Sequence, residues 1–166
     1  MTSPAAQSVL PASETTAESS ARAEQLRAAN INPRTGLATD YLNHFNEAVM
    51  LLEMIPDMPE CAEDFMGWKP MSYAEHFTAS NFKARDLAIE AYNTADGRIR
   101  AEFDGITTAV TSILIAVSEA MRKAQQDKTR MRLAEQATSW VKPIVMLAGG
   151  VINGDGAADV DYIMTH

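Results

Sequence analysis

Apolar residues recur along residues 99–121 at alternating spacings of four and three: Ile99, Phe103, Ile106, Val110, Ile113, Val117 and Ala120. That rhythm puts all seven on one stripe of an α-helix, which Leu114 and Met121 widen. Glu102 and Asp104 sit near its start and Arg122 and Lys123 close it, as the helix dipole prefers. Its longest uncharged run, residues 105–118, is 14 residues long. A membrane span needs roughly 20. The stretch therefore reads as a central core helix, with Ile106, Val110, Ile113 and Val117 expected to be fully buried.

Three further segments share the period. Over residues 37–55, Ala38, Tyr41, Leu42, Phe45, Ala48, Val49 and Leu52 make one apolar face. The opposite face begins polar, with Asp40, Asn43, His44 and Glu47, and continues apolar through Met50, Leu51 and Met54. Pro56 and Pro59 end the helix, and residues 60–66 have room for one or two helical turns. Ser72 followed by Glu75 is a capping box opening a helix over 73–93. Tyr73, Phe77, Ser80, Ala84, Leu87, Ala88 and Ala91 form its core side, and Phe82 and Ile89 its opposite side. Asp96 caps the central helix. The last long helix spans 130–148, with Met131, Ala134, Thr138, Val141, Val145 and Ala148 inward. Pro143 should kink it and Gly149-Gly150 allow it to end.

The flanks are weaker. Residues 13–29 predict a marginal helix whose apolar face is mostly alanine, with Leu26 its main anchor, so it needs a neighbour. Pro33 and Gly36 break it within residues 30–36, while residues 157–164 suggest a last short helix. No strand-like alternation of useful length occurs. The pattern predicts an all-α chain: an antiparallel up-down four-helix bundle of 37–55, 73–93, 99–123 and 130–148, with an accessory N-terminal helix and a short C-terminal one. Residues 1–33 are expected as tail and marginal helix, and residues 34–166 as one helical-bundle domain.

Charge narrows the partners. The 166-residue chain carries a formal charge of −8, which argues against nucleic acid and against a basic helix lying on a membrane. Its single cysteine, Cys61, excludes an internal disulfide, and Glu60, Glu63 and Asp64 around it raise its pKa rather than activate it. The N-terminus has neither the basic start nor the apolar run of a secretory signal, so a cytoplasmic location is expected.

Chemistry-bearing residues are few. Asp40, His44 and Glu47 share a helix face at acid–base or metal-ligand spacing, and His76 follows on the next helix; these four are the candidate catalytic residues. His166 is the third histidine. The Asn153-Gly-Asp-Gly stretch lacks the ligand order and closing glutamate of a calcium loop and reads as a turn. Trp68-Lys-Pro-Met-Ser72-Tyr-Ala-Glu75-His76-Phe resembles the loop-to-helix junction of DinB-like (YfiT-like) four-helix proteins, and the resemblance covers residues 37–92. That family's metal site uses a histidine at the end of this motif and a His-x-x-x-His pair further on. Here the matching position is Ala79 and no histidine lies between His76 and His166, so the resemblance implies a relative without the metal. No metal or cofactor is expected. The leading reading is a non-enzymatic helical interaction or regulatory module, partnering itself as a homodimer or another protein through Phe82 and Ile89, the N-terminal helix, or both. The alternative is a DinB-like small-molecule binder or metal-dependent enzyme, with its site between helices 37–55 and 73–93.

Overall fold

The computed structural model describes residues 12–154, and the helix expected over 157–164 and His166 lie outside them. Seven helices form among the described residues: α1 Ala12–Ala28, α2 Leu42–Met54, α3 Cys61–Met66, α4 Tyr73–Ala79, α5 Arg85–Asn93, α6 Gly97–Lys123 and α7 Asp127–Ile152. A single 3₁₀ turn, Thr39–Tyr41, leads into α2. The protein is all-α.

α6 and α7 form the main packing unit, joined by three residues. Arg130 on α7 pins this corner by donating to the carbonyls of Met121 and Ala124. α7 runs antiparallel to α2, as Leu42 beside Gly149 and the Lys142–Glu53 ion pair at 3.1 Å show. The buried line of α6 is Phe103, Thr107, Val110, Leu114, Val117 and Met121. Val110 and Val117 are buried as expected, but Ile106 and Ile113 are only half-buried. The core side is rotated toward Leu114 and Met121, because α3 and α7 both pack on α6 and their shared contact line, rather than the densest isoleucine stripe, faces inward. Among the described residues, α6 is the one helix long and apolar enough, by length and mean hydropathy, to cross a membrane. Much of its outward surface is small or hydroxylated, with Thr108, Ala109, Ser112 and Ala116 exposed.

Two expected helices have other bounds. The continuous helix over 73–93 is two helices, broken at residues 80–84. Ser80 is extended, and its hydroxyl bonds the Phe77 carbonyl and accepts from the Phe82 amide, giving the backbone a local alternative to helix. The break turns Phe82 onto Phe77, with ring centroids 5.2 Å apart, where a continuous helix would hold it away. α7 continues past Gly149-Gly150 to Ile152 because Val151 and Ile152 are buried and the Ile152 carbonyl accepts the Thr35 hydroxyl. Pro143 lies within α7 at an exposed position, and Ser139, whose carbonyl it cannot bond, is exposed as well. Met131 and Thr138, expected inward, are half-buried, while Ala137 is fully buried.

The core also reaches into the expected tail. Leu26 and Ile31 are buried with it, and Arg22 on α1 pairs with Glu90 on α5 at 2.8 Å.

Candidate functional site

The segment joining α1 to α2, residues 29–41, is held by a series of specific backbone and side-chain bonds. Asn30 ends α1 with φ +61, the left-handed geometry asparagine tolerates. The Ile31 amide bonds Leu26 O and the Asn30 amide bonds Arg27 O, the paired bonds of a Schellman cap. The Asn32 side chain accepts from the Arg34 amide, and its backbone amide bonds Leu37 O. Gly36 has φ +74, and a Cβ there would lie 2.9 Å from Ala91 O, so only glycine fits. Thr35 ties the segment to the end of α7, and the Ala38 amide donates to the Tyr73 hydroxyl. A loop anchored to α1, α4 and α7 is rigid by construction.

This loop, the C-terminal ends of α1 and α7 and the outer face of α2 enclose a groove of about 720 Å³. Its floor is apolar, with the buried Ile31, Leu42 and Ile152, and Phe82 stands at its rim. Its walls are amides: Asn30, Asn32, Asn43, Asn46 and Asn153. Arg27 and Arg34 provide positive charge, and neither guanidinium has an ion-pair partner among the described residues. Arg34 lies over Gly154, whose φ of +88 and absent side chain make room for it.

Asp40 is the groove's carboxylate. Its Oδ2 accepts from His76 Nε2 at 2.9 Å, and its Oδ1 from the Asn43 side chain at 3.3 Å. The structure therefore joins two of the four candidate residues. Glu47 is exposed.

His44 departs from the polar stripe in which the sequence places it. It is buried, stacked on Trp68 with ring centroids 4.5 Å apart. Its Nε2 accepts the Met71 amide at 3.0 Å, and its carbonyl receives the Trp68 indole N–H. Accepting at Nε2 requires the neutral ring, and burial, with His76 adding to the effect, lowers its pKa to about 4. The His44 and His76 ring centroids are 6.3 Å apart, yet the two Nε2 atoms serve different partners. Among the described residues no three of His, Cys, Asp and Glu are arranged to hold a metal ion. Cys61 is buried, and burial together with Glu60 and Asp64 pushes its thiol upward.

No family model, curated protein or solved structure matches the chain. Function must therefore be argued from the groove itself. Sequence reasoning missed both arginines and the asparagine walls. The available signal was Asn30 and Asn32 just before a Pro-x-x-Gly turn, followed by Asn43 and Asn46 three apart on one helix face.

Phe82 and Ile89, the expected interaction pair, do not share a helix face. Phe82 lies in the break between α4 and α5 at the rim of the groove, and Ile89 is half-buried on α5.

Proposed function

We propose that this protein is a ligand-binding helical module whose groove takes a small hydroxylated organic anion, such as a polyol phosphate or hydroxy acid. The observation that carries the reading is a groove lined by both Arg27 and Arg34, two guanidiniums with no ion-pair partner among the described residues, in a chain of net charge −8. Guanidiniums bind phosphate and carboxylate with two parallel hydrogen bonds. The asparagine amides and the free lone pairs of Asp40 suit ligand hydroxyls. His76 orients Asp40 from behind, and the volume fits a small metabolite. The framework in this reading is an up-down bundle in which α4 and α5 together take the place of one long helix. The DinB-like segment contributes its capped start of α4, which holds Met71 against His44 and brings His76 to Asp40.

Titration with glucose 6-phosphate, followed by amide chemical shifts, tests the proposal. Saturable shifts should centre on Arg34, Asn43 and Asn46, and weaken at least tenfold in Arg34→Gln and in Arg27→Gln. Absence of saturable shifts, or wild-type affinity in both variants, would falsify it.

We also infer self-association, through a surface other than the one expected. Trp140, Ile144 and Leu147 recur along one side of α7, where Trp140 is 51% and Leu147 50% exposed. Apolar exposure of this size on one helix favours a second copy as its cover, since two-fold pairing is the commonest arrangement for a self-complementary face.

A further inference from the structure

We propose that the methionine-lined face where the C-terminal half of α2 meets α7 docks a basic amphipathic helix of another protein. This face shares only Asn46 with the anion groove, so the inference does not depend on that reading.

Its centre is an open cavity of about 530 Å³ whose apolar lining is Val49, Met50, Met54 and Met58. Met50 and Met54 are four positions apart on α2 and so are neighbours on its surface. The Met58 amide bonds Met54 O at 2.9 Å, which holds the turn after α2 against the helix end. Val49 is buried beneath, while Met50 is 55% and Met58 39% exposed. Grouped apolar side chains left open in this way mark a contact surface. Methionine is unbranched, with three rotatable bonds and a polarizable sulfur, so a surface made of it repacks readily around a partner's side chains. From Asn46 to Met54 this side of α2 is about 12 Å long, two turns of a helix laid against it. Such a helix presents its apolar residues at spacings of three and four.

Charge selects the partner. Between Arg34 and Lys69 the chain holds seven acidic residues and neither lysine nor arginine. Glu53 and Asp57 line the cavity itself. Glu47 precedes Met50 by three positions and is its neighbour on the helix surface, and Glu60 is exposed just beyond Met58. Lys142, the one cation of the lining among the described residues, is engaged by Glu53 at 3.1 Å. Glu47, Asp57 and Glu60 have no ion-pair partner among the described residues. An apolar strip with acidic edges is complementary to an apolar strip with basic edges. The same edges disfavour other occupants. A second copy pairing through this face would set acid against acid, and an anionic membrane surface would be repelled.

The probe is a synthetic peptide of leucine and lysine, with leucines at helical spacings of three and four, titrated into the full chain at fixed ionic strength. Methionine-methyl chemical shifts report where it binds. Saturable shifts are expected at Met50, Met54 and Met58, with the methyl of the fully buried Met121 unmoved. A peptide with glutamate in place of lysine should not bind, and one of the same composition in scrambled order should bind at least tenfold more weakly. Asp57→Lys and Met50→Gln alter exposed positions that folding tolerates, and each should weaken binding at least tenfold. Asp86→Lys makes the same charge change at an exposed position of α5 and should leave affinity within about twofold, since salt screens distant charges. Shifts that never saturate or that centre away from these methionines overturn the proposal. So does equal binding of the scrambled peptide, equal weakening by Asp57→Lys and Asp86→Lys, or full affinity in Met50→Gln, each of which would reduce the effect to general attraction between a basic peptide and an acidic protein.

Discussion

His44 shows what one buried imidazole does when it is recruited as an acceptor. Its Nε2 receives the Met71 amide and its ring lies on Trp68, so protonation breaks a hydrogen bond and buries a charge together. The folded pKa of about 4 lies below the ordinary 6.5, so between those values the unfolded chain binds the extra proton. The contribution of His44 is fully present above pH 6.5 and is lost as pH falls toward 4. The loss should amount to about 3 kcal/mol. Glutamine can accept the same amide through Oε1 without titrating. The stability difference between wild type and His44→Gln, measured by urea unfolding, should therefore shrink as pH falls from 7 to 4.5. A difference constant across that interval would remove His44 as the titrating group. Glu75 acts in the same direction: its bonds from Ser72 lower its pKa, so its part in the cap is also lost as acid protonates the carboxylate.

At the scale of elements, the register of α6 is the most informative difference between pattern and packing. Periodicity identifies the helix because spacings of three and four survive any rotation of its stripe. It does not say which of two adjacent stripes faces in, since Ile113 and Leu114 are equally apolar and one position apart. Packing against α3 and α7 decides for Leu114. Leu114→Ala should cost about 2–5 kcal/mol, as core truncations to alanine do. Ile113→Ala, at a half-buried site, should cost about 1 kcal/mol, since less apolar surface returns to water. Thermal or chemical unfolding of both variants checks the order, and equal losses would put both residues in the core. The break between α4 and α5 was hidden for a different reason. No proline or glycine marks residues 80–84, and the helix yields to a tertiary contact, Phe82 on Phe77, together with local bonding by Ser80. Caps were more legible, because their chemistry is local. Ser72 with Glu75 and Asp96 both cap as the sequence indicates.

On the scale of the whole molecule, sites are assembled from distant segments, and that limits what linear spacing reveals. Asp40 and His76 are 36 residues apart, and Arg27, Arg34 and Asn153 meet only because α7 ends against the 30–38 loop. The same assembly leaves part of α7 uncovered. α2 and α6 take its inward side, leaving Trp140, Ile144 and Leu147 along another, with Met146 beside them 76% exposed. Phe82, expected from the sequence to mediate pairing with Ile89, is engaged with Phe77 of its own chain. Phe82→Asp should therefore lower stability without selectively separating subunits. Trp140 is the stronger choice of anchor, since large aromatic side chains dominate interface energies. At tens of micromolar the wild type should sediment as a dimer, and Trp140→Glu as a monomer with an unchanged helical circular dichroism spectrum. A wild-type monomer at that concentration, or a dimer that persists in Trp140→Glu, would leave this face of α7 without a partner of its own kind.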